Sequence, residues 1–332
     1  TVDASASRIL RTMNENQIKR GKAIQRRTGR TFHLATRLLP QRIRYPTYVL
    51  YGFFRIADEV VDAADTPPPD EQARRLDKLR DEAIGQREPD DPVMGAFQDL
   101  KATHGIADEE VNAFVDAMAS DIHMDRYETR EDLDAYMRGS ASAVGVMMTD
   151  VMELEGEAYE RALPHAVALG KAFQLTNFVR DVREDVVDRD RIYLPRAVLR
   201  EHGVDPTNIE TLEFTPHIAN AVEAELKRAE RLYREGVAGI RYLPADSQFA
   251  VLASAALYAE HHRLIRDRDF DVIAETPDLG LARSLSVLAR TRWHWLWNKD
   301  PEAVFRRVSA VPTREGSTHR TEHEYGEGVP VR

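Results

Sequence analysis

Apolar residues recur at three- and four-residue spacing through most of the chain, and runs of strand-like alternation are rare, so the pattern specifies helices packed on helices. Short Pro- or Asp-rich segments interrupt it at Thr66-Pro67-Pro68-Pro69-Asp70, Glu88-Pro89-Asp90-Asp91-Pro92 and Leu243-Pro244-Ala245-Asp246, which read as inter-helix loops. Thr129-Arg130-Glu131-Asp132 has the form of an N-terminal cap, and Pro46 suits the first turn of a helix running to Asp62. Neither a fixed-period repeat nor a shift of composition divides the chain. The expectation is one all-α domain over residues 1–312. Residues 313–332 form a polar tail without periodicity, expected to be disordered.

Composition excludes several functions. With 42% hydrophobic and 31% charged residues there is material for a large core under a charged surface. The absence of Cys removes disulfides, thiolate nucleophiles and Cys-ligated metal centres. A net charge of -10 argues against a nucleic-acid-binding surface, which needs clustered positive charge. The longest mostly apolar stretch, Phe249 to Ala259, is too short to span a bilayer, and the amino terminus lacks a signal-type run. A cytoplasmic location is the expectation.

Two acidic segments carry the chemistry. In the first, Tyr51, Arg55, Asp58 and Asp62 are spaced i, i+4, i+7 and i+11, one stripe of a helix flanked by Val49, Phe53, Ile56 and Val60. Such a pair of acids proves little alone. With 56 acids in 332 residues, chance places about nine acidic pairs at i, i+4, most on solvated faces. The second segment is richer: Asn177, Asp181 and Asp185 recur at i, i+4 and i+8, fanned over about 80° of helix circumference. These hard oxygen donors, without Cys or a His-spaced set, favour Mg²⁺ or Mn²⁺ over zinc. Arg180, Arg183, Arg189 and Arg191 add planar cations suited to phosphate oxygens. Acids and arginines in one place make sense around a diphosphate, with metal bridging carboxylate to phosphate and Arg binding the other oxygens. Two such helices facing each other at the mouth of an apolar cavity imply an isoprenoid diphosphate.

At this point the chain resembles the squalene/phytoene synthase family. The resemblance rests on Asp58-Glu59-Val60-Val61-Asp62, on Tyr136 through Met148, and on Gly170 through Pro195 with Gln174, Asn177, Arg180, Asp181, Asp185, Arg191 and Tyr193. It extends from about Thr28 to about Trp297. The middle segment departs from the family, reading Gly139-Ser140-Ala141-Ser142 where members often carry Val-Ala-Gly.

The resemblance implies a single-domain isoprenoid-synthase bundle of helices around a central cavity, and a head-to-head condensation of two prenyl diphosphates. The product expected is phytoene from two geranylgeranyl diphosphates, a step of carotenoid biosynthesis. The alternative is squalene or dehydrosqualene from two farnesyl diphosphates, with NADPH for squalene; otherwise NADPH is not expected. The resemblance implies metal ligation by Asp58, Asp62, Asn177, Asp181 and Asp185, with Tyr136 near the cation or the departing diphosphate. It further implies diphosphate contacts from Arg30, Thr31, Arg55, Arg180, Arg191 and Tyr193, the last two on a lid after the second acidic helix. Phe32, Tyr51, Gln174 and Tyr258 are implied in the cavity wall. Phe32, Phe53, Phe54 and Phe173 are candidates for cation–π support. His261 and His262 point about 100° apart on a helix and read as surface or supporting residues. A greasy product implies peripheral membrane contact, although no amphipathic anchor stands out in the sequence. A non-enzymatic helical binding module, with the acidic stripes as solvated faces, is the reading from a different class. It predicts indifference to Asp181→Asn.

Overall fold

The computed structural model describes residues 34–63 and 66–313. Arg30, Thr31, Phe32 and all of the expected tail after Thr313 lie outside the described residues. The chain runs through α1 (Gln41–Asp62), α2 (Pro69–Ala83), α3 (Pro92–His104), α4 (Asp108–Ser120) and α5 (Arg130–Met137). A π-helical segment (Arg138–Ala143) leads into α6 (Val144–Asp150), α7 (Gly156–Arg180), α8 (Val182–Arg189), α9 (Arg196–Glu201) and α10 (Pro206–Glu210). Then come α11 (Pro216–Ala238), a 3₁₀ turn (Gly239–Tyr242), α12 (Ala245–Arg266), α13 (Leu281–Trp297) and α14 (Pro301–Val308). Among the described residues the extended pairing is one isolated bridge between Arg126 and Ile192. The fold is all-α, as the periodicity requires.

Local chemistry sets the helix ends. Asp91 accepts the N–H of Val93 and Pro92 occupies the first turn of α3, while Gly105 closes that helix in the left-handed region at φ 68°. Thr129 and Asp132 form a reciprocal capping box at the start of α5. Thr215 caps α11 and Asp300 caps α14, each followed by Pro. The Pro-rich segments therefore mark helix starts as much as loops. Pro46 is a correction: α1 begins at Gln41, so Pro46 lies inside the helix. Without an N–H it gives nothing to the carbonyl of Arg42, and the buried residues around it carry the helix past the missing bond.

α7 is the central element, packed against α11, α6, the π-helical segment and α12. The π-helical segment is wedged between α4 and α7 at backbone contact. A Cβ on Gly139 would lie 2.0 Å from the Ala113 carbonyl oxygen, and one on Gly170 would lie 2.6 Å from that of Ala141. This close approach accounts for the run of small residues at Gly139-Ser140-Ala141-Ser142. One apolar cluster joins α1 to α4, with Phe53 stacked on Phe97 at 4.1 Å; others join α11 to α14 and α8 to α12. Between them lies a cavity of about 540 Å³.

Candidate active site

The stripe on α1 forms as its spacing requires: Tyr51, Arg55, Asp58 and Asp62 all line the cavity. Val49 and Phe53 turn into the core. Facing the stripe are Gln174 and Asn177 of α7, Asp181, and Asp185 of α8. The second acidic row is not one helix. α7 stops at Arg180, and Asp181, at φ −97° and ψ 13°, joins it to α8. The Asp181 N–H still donates to the Asn177 carbonyl at 2.8 Å, and the Asp185 N–H to the Asp181 carbonyl at 2.8 Å. The i, i+4 register survives the break, so the three donors keep one side.

Arginines hold every one of these carboxylates. Arg55 bonds Asp58, and Arg180 Nε donates to Asp181 Oδ1 at 2.6 Å. Arg189 donates from Nε to Asp62 Oδ2 at 3.0 Å and from Nη1 to Asp185 Oδ1 at 3.1 Å. Arg191 is buried and donates to Asp62 Oδ1 at 2.7 Å and to the Asp121 carbonyl at 3.0 Å. α8 ends at Arg189 because Asp190 takes the left-handed conformation at φ 51°. Arg126 Nη2 secures that turn through Asp190 Oδ1 at 2.9 Å.

The electrostatics are those of crowded anions. Burial, then the charge of Asp62, pushes the Asp58 carboxyl up to about 6 despite Arg55 and Arg189. Burial, then Asp181, pushes Asp185 up to about 8. Among the described residues no three carboxylate or imidazole groups close on a common point as they stand. The donor set nevertheless fits a hard divalent ion: Asn177 Oδ1 is buried without a hydrogen-bond partner, and burial, then a neighbouring carboxylate, holds Asp58 and Asp185 above their ordinary range, a cost that a bound cation would offset.

Tyr136 reaches the same cavity, its hydroxyl donating to Asp121 Oδ2 at 2.8 Å. Burial raises the Asp121 carboxyl to about 7, opposed by Arg191 and by this bond. Burial also holds the Tyr136 and Tyr193 hydroxyls well above their ordinary value, so both stay neutral. Tyr193 stacks on Phe178 at 4.1 Å, Phe173 on Tyr258 at 4.5 Å, and Phe54 packs on Phe114 at 4.8 Å. All six rings line the cavity, whose far end is walled by Met148, Met152, Leu169, Ile240, Leu243 and Val251.

Several expectations need correction. Phe53 is fully buried against Phe97 and Phe114, behind the wall. Arg183 points away, donating to the Ile273 carbonyl at 2.8 Å. Of the two positions expected for His261 and His262, the surface one fails and the supporting one stands, since both are buried. His262 lies 2.9 Å from Thr176 Oγ1 and 3.2 Å from Glu230 Oε1, inside the α7–α11–α12 contact. Asp121 is absent from the sequence reading: its i, i+4 spacing to Asp125 is one that chance places often in so acidic a chain, and only packing brings it to Tyr136.

Residues 25–294 match the family model described as squalene/phytoene synthase. The chain is 34% identical over 241 residues to a phytoene synthase of Pseudescherichia vulneris, covering 70% of this chain and 77% of the relative. It is 33% identical over 270 residues to the phytoene synthase of Rhodobacter capsulatus, covering 80% and 78%. The crystal structure of a dehydrosqualene synthase superposes with a TM-score of 0.76 at 24% identity, over 86% of this chain and 98% of that one. A squalene synthase from Alicyclobacillus acidocaldarius gives 0.68 at 24%, over 77% and 95%. The matched span holds both carboxylate rows and Tyr136 between them, and on that evidence the chain belongs to the squalene/phytoene synthase family.

Proposed function

We propose that the protein condenses two geranylgeranyl diphosphates head to head into phytoene, releasing both diphosphates. The observation that carries this reading is the polarity of one cavity: two facing carboxylate rows and their arginines at one end, aromatic and aliphatic walls beyond them. The phytoene synthases among its relatives support the longer substrate. Asp58, Asp62, Asn177, Asp181 and Asp185 would hold Mg²⁺, which when bound neutralises charge developing on the leaving diphosphate.

The chain's own groups supply the rest. Arg55, Arg180 and Arg189 stand among the carboxylates, where each can turn from carboxylate to phosphate oxygens when substrate arrives. Loss of the first diphosphate leaves an allylic cation whose C1 is attacked by the double bond of the second substrate. With loss of a proton this forms a cyclopropylcarbinyl diphosphate. Departure of the second diphosphate, rearrangement and loss of another proton give phytoene. The faces of Phe54, Phe173 and Phe178 would stabilise these cations, and the dry wall keeps water from trapping them. The Tyr136 hydroxyl, held neutral by burial and bonded to Asp121, would turn its one proton from that carboxylate to the departing diphosphate.

Purified protein incubated with geranylgeranyl or farnesyl diphosphate, with and without NADPH, tests the reading by product analysis. Phytoene without NADPH, abolished by EDTA, is expected. Squalene formed from farnesyl diphosphate only with NADPH would overturn the product and leave the site assignment standing.

A further inference from the structure

Helix α13 is built with its polarity reversed. Its buried face carries Ser284, Val287, Thr291 and Trp295, two of the four being hydroxyl residues. The opposite face presents Leu281, Leu285, Trp293, Leu296 and Trp297 to solvent, with Leu281 71% and Trp297 78% exposed. Positions 281, 285, 289, 293 and 297 read Leu, Leu, Ala, Trp, Trp, an unbroken i, i+4 stripe along the whole helix. Leu281, Leu285, Trp293, Leu296 and Trp297 are five of the nine large exposed apolar side chains among the described residues, so the patch is a local feature and not the general state of the surface. A helix apolar on both sides ordinarily has both sides covered. The sequence pattern hid this face, because periodicity shows that a helix has an apolar side and not whether that side meets the core or solvent.

Charge identifies what covers it. The whole chain carries a net charge of -10, yet α13 holds three arginines and no acid; Arg283 and Arg290 pair with Glu260 of α12, which leaves Arg292 as the cation this helix offers outward. Arg292 is exposed beside Trp293 without an ion pair among the described residues, and Lys299 follows the helix with its Nζ 5.1 Å from the Trp295 ring. Arg306 and Arg307 of α14, which packs on α13, are likewise exposed and have no ion pair among the described residues. Tryptophan with arginine around an aliphatic stripe is the composition that settles at the headgroup level of a bilayer, and the cations select anionic lipid. Position agrees. Trp295 packs near Phe249, whose neighbours Ala250 and Val251 line the deep apolar end of the cavity.

We propose that the outer face of α13 docks the protein on an anionic lipid bilayer, with Trp293, Trp297, Leu281 and Leu285 entering the interface. The docking surface is independent of which prenyl chain the cavity takes, and loss of activity would leave it untouched. All three tryptophans of the chain lie on α13, so intrinsic fluorescence reads this helix alone. The full chain should float with vesicles of phosphatidylcholine and phosphatidylglycerol, its emission shifting to the blue, and float less well with phosphatidylcholine alone. The double variant Leu285→Glu, Trp297→Glu should bind anionic vesicles roughly tenfold more weakly or worse, with helicity and activity in detergent unchanged. Should that variant fail to fold, Arg292→Glu alone must still weaken anionic-vesicle binding. The proposal is overturned by no flotation of the parent chain, by equal binding of the variants, or by iodide failing to quench the lipid-free protein, which would mean the face is already covered. It is equally overturned if the parent is a dimer that the double variant dissociates and that ignores vesicles.

Discussion

Arg189 of α8 donates at 3.0 Å to Asp62 of α1, a residue 127 positions away in the chain, and so joins the two carboxylate rows. Its other nitrogen reaches Asp185, so one guanidinium straddles the mouth of the cavity. In the proposed reaction that position passes to the metal.

The acids should matter for turnover and not for folding. Burial and neighbouring carboxylates hold Asp58 and Asp185 above their ordinary range, so a neutral isostere relieves repulsion. Asp58→Asn and Asp185→Asn, and equally Asp62→Asn and Asp181→Asn, are expected to lower turnover roughly a hundredfold or more. The first two should unfold at the parent's temperature or above. Full activity in any two of the four would remove the metal assignment.

Arg189→Ala leaves Asp62 and Asp185 facing each other with less compensation. The metal-free variant should lose about 1–3 kcal/mol of stability. Because Mg²⁺ can take over the same carboxylates, thermal unfolding with excess Mg²⁺ should narrow the gap. An identical gap with and without Mg²⁺ would show that metal and arginine do not share these oxygens.

Asp150 offers a pH test away from the mouth. Burial raises its carboxyl to about 6, while the bond from the Tyr159 hydroxyl at 2.8 Å opposes the rise. The folded protein therefore holds a proton that the unfolded chain releases near pH 4, and stability falls as pH climbs from about 4 to about 6. Asp150→Asn removes that component, and its amide oxygen can still accept from Tyr159. Chemical unfolding across this window should show a shallower decline for the variant than for the parent; parallel curves would contradict the assignment.

Gly139→Ala should be among the most damaging small substitutions. The new methyl would sit 2.0 Å from the Ala113 carbonyl oxygen, where backbone and not a flexible side chain must yield. A loss of about 2 kcal/mol or more is expected from overpacking. A variant as stable as the parent in chemical unfolding would mean that the π-helical segment can move off α4.

Much of the site was legible because helical periodicity is local. Tyr51, Arg55, Asp58 and Asp62 had to share a stripe once their segment became a helix, and Asn177, Asp181 and Asp185 kept their register even across the break at Asp181. The limits of local reading appear at Pro46, which suited a first turn and lies inside a helix instead. They appear again at His262, a pair-member with no readable environment that packing buries against Thr176 and Glu230.

By itself, then, the amino-acid order determined the all-α class, the cap at Thr129, and which oxygen donors travel together on each helix. Those properties depend on residues three or four apart, whose relative positions the backbone dictates. Tertiary structure alone decided that Arg189 and Arg191 reach Asp62, that Asp121 steers Tyr136, and that Trp293 and Trp297 of α13 face outward while Trp295 faces in. The contacts join groups on different segments of the chain, and which side of a helix meets a neighbour is settled only when all the neighbours are in place.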